Sequence, residues 1–136
     1  MSARSKARKA ALDLLYESDI RKASASDLLS KRIMDLEYVV RDFTQELVHG
    51  VEQHRRKIDE LITTYSQEWD MDRMPVIDRN ILRLAMYEVL WSSNVPQAVA
   101  IDEALELAQT LSTDESSKYI NGVLSKIVEI KPDLVL

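Results

Sequence analysis

Val76-Ile77-Asp78-Arg79-Asn80-Ile81-Leu82-Arg83-Leu84-Ala85-Met86-Tyr87-Glu88-Val89-Leu90-Trp91 decides the fold. Wound as a helix, Ile77, Ile81, Leu82, Leu84, Ala85, Met86, Val89 and Leu90 leave little polar surface on any side. A helix apolar on nearly all sides needs neighbours all round, so this pattern describes the central helix of a bundle. Pro75 stands where the helix begins, a position at which a missing N–H is harmless. Ser92-Ser93-Asn94-Val95-Pro96 follows as a turn.

Outward from that segment the period stays helical. Ala98 to Leu111 forms the next helix, with Ile101, Ala104, Leu105, Ala108 and Leu111 inward. Ser112 followed by Glu115 reads as a capping box for a last helix whose core face is Ile120, Val123, Leu124 and Ile127. Pro132 stops or frays it. On the other side, a first helix runs from about Ser2 to Arg21, with Ala7, Ala11, Leu14 and Leu15 as its stripe. Ser24-Ala25-Ser26-Asp27 breaks the chain and caps a short helix through Leu28, Leu29 and Met34. From Glu37 to Tyr65 a long stripe of Val40, Phe43, Leu47, Gly50, Val51, His54, Ile58, Leu61, Ile62 and Tyr65 describes one buried face. Gly50 on that stripe either lets another helix approach closely or marks a bend between two helices.

The fold class is therefore all-α. At 136 residues the chain fits one helical domain over 1–136, and its 46% hydrophobic residues suffice for a core. Two glycines and three prolines are too few for the many turns of an all-β fold. Zero cysteines exclude disulfides, thiolate catalysis and cysteine metal sites. No run is apolar for long enough to cross a bilayer, and no secretory signal is visible, so a cytoplasmic protein without a membrane role is expected.

Little supports an enzyme. His49 and His54 are five residues apart, on different helix faces, whereas metal pairs usually sit three or four apart. His54, on the apolar stripe, reads as a hydrogen-bonded core residue. No nucleophile motif, phosphate-binding glycine loop or dinucleotide fingerprint is present, and no cofactor is expected. Asp102, Glu103 and Glu106 lie on an amphipathic exterior and read as a solvated or partner-facing surface. Arg55-Arg56-Lys57 fans over too wide an arc to form one patch.

Charge is distributed unevenly. The whole chain has formal net charge -5, yet its first eleven residues carry Arg4, Lys6, Arg8 and Lys9 and no acid. A basic arm on an acidic protein is a local device, either a solubilising end or a set of phosphate contacts. Tyr16 ends this basic helix and Tyr119 opens the last one beside Lys118. Rings beside cations suit single-stranded nucleic acid, and they equally suit half-buried packing. From Ala98 to Glu115 there are five acids and no Lys or Arg, a stretch suited to a basic partner.

Four segments carry a resemblance: Asp78 to Glu88, Val95-Pro96, Ala100-Ile101-Asp102-Glu103-Ala104-Leu105-Glu106-Leu107-Ala108, and Lys118-Tyr119-Ile120-Asn121-Gly122-Val123-Leu124. With Lys6-Ala7-Arg8 and Leu15-Tyr16 they make the chain resemble, over essentially its whole length, the NusB family of transcription antitermination factors. The resemblance implies a fold of two small helix bundles and no enzymatic activity. It implies binding to boxA RNA of ribosomal RNA transcripts with ribosomal protein NusE, in a complex with RNA polymerase and other Nus factors. It matches Arg4, Lys6, Arg8 and Tyr16, with Lys9 beside them, to an RNA-binding helix. Tyr65, Lys118 and Tyr119 match further RNA-side positions, Glu115 an acidic position near the RNA surface, and Asp78 an acidic position facing NusE. Lys9 stands where an acid occurs in some of the family, Asp13 where Gln is common, Gln109 where Lys is common, and Tyr119 replaces the usual Phe.

Two other readings share these residues. The same helical domain begins ribosomal RNA cytosine methyltransferases, but no methyltransferase motif is present in this chain. A pure interaction module, such as a homodimer that covers its own RNA surface, is the other.

Overall fold

A computed structural model describes residues 1–136. The chain folds into seven α-helices: α1 (Ala3–Arg21), α2 (Ala25–Met34), α3 (Asp42–Gln53), α4 (Arg55–Tyr65), α5 (Val76–Leu90), α6 (Gln97–Leu111) and α7 (Asp114–Ile130). Short 3₁₀ turns span Met71–Arg73 and Lys131–Asp133. No helix is long and apolar enough to cross a membrane.

The all-round apolar segment is α5, and it is central. It packs against α1, α3, α4, α6 and α7, and every residue from Asn80 to Leu90 is buried. The helices α1, α2 and α3 pack together as one group and α6 with α7 as another, while α4 leans on α5 and α7. The two groups share α5 and one continuous core of 30 buried apolar residues. Because α5 has no solvent face, its polar residues Asn80, Arg83 and Glu88 need partners inside the protein. Those partners come from α1 and α4: Arg83 donates to Asp19 at 2.8 Å and to Asp59 at 2.9 Å, and Asn80 donates to Asp19 at 3.0 Å.

Serines define the first two helices. The Ser2 side chain accepts the Ser5 N–H at 3.1 Å, and Ser24 accepts the Asp27 N–H at 3.3 Å, each satisfying an otherwise free donor of a first turn. Lys22, with φ 55, takes the left-handed conformation that ends α1.

The stripe from Glu37 to Tyr65 is not one helix. Residues 35–41 are non-helical, and the chain breaks again at His54 (φ -104, ψ 13) between α3 and α4. The stripe stays in phase because the second break is a single residue and both helices turn an apolar face to α5. Gly50 serves close approach: a Cβ there would lie 2.1 Å from Tyr87 Cε1. The bend comes four residues later, where the His54 ring stacks on Trp91 at 4.0 Å and 11°. Stacking, not a side-chain hydrogen bond, holds that histidine.

Three smaller differences lie at helix ends and in one loop. Thr113, not Ser112, caps α7 by accepting the Ser116 N–H at 3.0 Å, so the Ser112–Glu115 box does not form and Glu115 is exposed. Leu111, at the end of α6, points outward and is 38% exposed. The non-helical stretch after α2 leaves Leu36 and Val39 almost fully in solvent, 99% and 91% exposed.

Candidate nucleic-acid interface

Helix α1 is clamped at both ends. Near its start, Arg8 meets Glu88 of α5; near its end, Asp19 meets Arg79, Asn80 and Arg83 of the same helix. These contacts fix the rotation of α1 about its axis. Lys6, Lys9, Asp13 and Tyr16, spaced three and four apart, form one outer face. Lys6 is exposed, Tyr16 is 40% exposed, and Lys9 pairs with Asp13 at 2.7 Å. Arg4 is exposed too, with its guanidinium 5.0 Å over the Phe43 ring and one bond of 3.1 Å to the Asn94 carbonyl.

Arg8 corrects the expectation for the basic arm. Its side chain is 2% exposed and is fully engaged by Glu88, with Glu103 3.5 Å away and Phe43 beneath the guanidinium. It is not open to a phosphate, and the available cations of the arm are Arg4, Lys6 and Lys9. Burial raises the pKa of Glu88, and the charge and hydrogen bonds of Arg8 oppose that rise.

The second group of expected residues lies elsewhere. Tyr65, Glu115, Lys118 and Tyr119 line one open groove of about 760 Å³ between the loop after α4 and the outer face of α7. Gln67, Glu68, Trp69, Gly122, Val123 and Lys126 complete it. No residue of α1 lines it. The loop is held by the Ser66 hydroxyl, which donates to the Trp69 carbonyl at 2.8 Å. That bond places the Trp69 ring 4.8 Å from Tyr119 at a 37° tilt. The Tyr119 hydroxyl is buried with no partner in good hydrogen-bonding geometry; burial, with Glu68 nearby, raises its pKa, and the Trp69 backbone N–H opposes that rise. Trp69 and Lys126 escaped the sequence reading. Trp69 lies in a loop without periodicity, but Lys126 was findable, since Lys118, Gly122 and Lys126 repeat at four residues along α7.

Asp78 also needs correction. Its side chain is fully buried, with Ser116 of α7 donating a hydroxyl to one carboxylate oxygen at 2.6 Å and the other oxygen unpartnered. The N-terminus of α5 is covered by α7, so Asp78 presents no charge to a partner. Within the acidic stretch from Ala98 to Glu115, Asp102, Glu106, Asp114 and Glu115 are exposed, while Glu103 accepts from the Ser5 hydroxyl at 2.6 Å. Arg55 and Lys57 pair along their own helix with Asp59 and Glu60.

The seven-helix scaffold thus carries a basic outer face on α1 and, apart from it, an aromatic, lysine-bearing groove. The model of the NusB family matches residues 5–129. The chain belongs to the NusB family. It is 51% identical over 134 residues to the transcription antitermination protein NusB of Nocardioides sp., covering 98% of this chain and 99% of that one. Its structure resembles T. maritima NusB with TM-score 0.82 and 31% identity, over 98% and 99% of the two chains. It also resembles a chain from a structure of antitermination factors NusB and NusE in complex with dsRNA, with TM-score 0.80 and 25% identity over 93% and 96%. The family is one of RNA-binding transcription antitermination proteins.

Proposed function

We propose that this chain binds boxA RNA of ribosomal RNA transcripts together with ribosomal protein NusE, and so joins RNA polymerase and other Nus factors in suppressing premature termination. The groove carries the reading. Tyr65, Trp69 and Tyr119 offer ring faces for unstacked bases, and Lys118 and Lys126 stand beside them for phosphates. Arg4, Lys6 and Lys9 add a second cationic surface on α1. For the protein partner, the exposed acids Asp102, Glu106 and Asp114 suit a basic ribosomal protein. The solved complex of a related NusB with NusE and dsRNA supports the pairing.

A second reading, an interaction module that pairs with another copy of itself, draws on the exposed apolar residues Met34, Leu36, Tyr38 and Val39. One experiment separates the two. Fluorescence anisotropy with a boxA oligonucleotide and a scrambled one, each with and without NusE, is run beside light scattering of the same samples. Tighter binding to boxA, strengthened by NusE, is the expected result. A dimer that binds neither RNA overturns the first reading.

A further inference from the structure

The chain has two glycines, and both lie on helices. Gly50 has a reason inside the fold, because the Tyr87 ring occupies the space of its Cβ. Gly122 has none. It is exposed in the interior of α7, and a Cβ there would meet nothing within 4 Å. Glycine is a poorer helix former than alanine, so an interior glycine without a neighbour weakens α7 for no gain in packing.

Its surroundings supply a reason outside the chain. Gly122 lines the groove, with Lys118 one turn before it and Lys126 one turn after. Both lysines are exposed; Lys118 has no ion-pair partner, and Lys126 reaches only Glu129, at 3.6 Å. The Trp69 and Tyr119 rings lie at the same groove. A bare stretch of helix between two cations lets an anionic chain come into contact with the helix backbone. Glu68 and Glu115 also line the groove. Glu115 lies two turns before Gly122, where it repels phosphate and confines an anionic strand to the Lys118–Lys126 span.

We propose that Gly122 is an RNA-backbone contact. The strand crosses α7 between Lys118 and Lys126, its sugar-phosphate chain pressed against the helix at Gly122 and a neighbouring base against the Trp69–Tyr119 rings. This rests on the RNA-binding reading above and adds the path of the strand. Cations and rings around the bare site favour RNA over a protein segment.

The test uses the full chain with Gly122→Ala and Gly122→Gln. Both residues favour helix, so the melting temperature stays level or rises. Affinity for a boxA oligonucleotide falls about tenfold with Ala, the size of one lost stacking or phosphate contact, and further with the longer Gln. NusE affinity is unchanged. Wild-type RNA affinity in both variants overturns the proposal, as does a lowered melting temperature, which would reveal an internal role for the glycine. Loss of NusE binding with RNA binding intact overturns it in favour of a protein contact. A wild-type chain that binds no RNA instead overturns the broader reading, and the contact with it.

Discussion

Arg8 and Glu88 form a buried, two-pronged ion pair across the α1–α5 contact. Arg8 Nε lies 3.1 and 3.0 Å from the two carboxylate oxygens and Nη2 lies 2.9 Å from Oε1, with the side chains 2% and 1% exposed. A charge so deep is tolerable only with its partner in place. Glu88→Ala leaves the guanidinium buried with only the more distant Glu103, and is expected to cost about 3–5 kcal/mol of stability in urea melts. Arg8→Met combined with Glu88→Leu removes both charges and is expected to cost less than either single change to Ala. A double variant as unstable as the sum of the singles would show that the pair does not act as a unit.

The same pair turns the basic arm into a three-cation surface. If Arg4, Lys6 and Lys9 each neutralise one phosphate, replacing all three by Ala makes the slope of log affinity against log salt on single-stranded RNA shallower by about 2. Asp13→Asn is expected to act the other way, since it frees Lys9 from its 2.7 Å pair. An unchanged slope in the folded triple variant would remove α1 from the RNA surface.

Tyr119 separates stacking from packing. Stacking contributes about 1–3 kcal/mol per base, so Tyr119→Ala should weaken RNA binding on that scale while Tyr119→Phe keeps it. The hydroxyl is buried with no partner in good hydrogen-bonding geometry, near only the Trp69 backbone N–H. Its removal in Tyr119→Phe is therefore expected to leave the melting temperature close to that of the wild type. Should Tyr119→Ala instead unfold the chain and leave the RNA affinity of its folded fraction intact, the ring is a packing residue against Trp69.

How far the sequence reaches is clearest from individual residues. The central position of α5 was legible because apolarity on every side is a property of one short segment. The class and most helix ends were legible for the same reason: caps such as Ser2 and Ser24 act within four residues. Arg8 was not, because nothing local distinguishes it from the exposed Lys6; its partner lies 80 residues away. Asp78 looked like an acid at a helix start, and only the cover by Ser116, 38 residues on, shows that it is buried. Trp69 belongs to a loop, whose geometry leaves no period to read. Of the groove residues, Lys118 and Tyr119 stood out as a cation beside a ring and Tyr65 entered through the family resemblance; the fold brings all three together.

The other end of α1 should control acid stability. Asp19 accepts from Arg79 Nε at 2.7 Å, Arg83 Nη1 at 2.8 Å and Asn80 at 3.0 Å, with its side chain 14% exposed. Burial alone would raise its pKa, but the bonds from Arg79 and Asn80 and the positive charges of Arg83 and Arg79 outweigh it and hold the carboxyl well below the ordinary range. A carboxyl whose folded pKa is depressed stabilises the fold above its unfolded pKa of about 3.9, and that contribution is lost as pH falls toward the lowered folded value. Asp19→Asn is therefore expected to cost about 3 kcal/mol at pH 7, where it leaves Arg79 and Arg83 short of a counter-charge. The gap between wild type and variant should be constant from pH 7 to about pH 5 and narrow below about pH 4. Urea melts of both proteins across that range measure it directly. A gap that stays constant down to pH 2 would mean that the carboxylate charge of Asp19 contributes nothing and that only its shape holds α1 to α5.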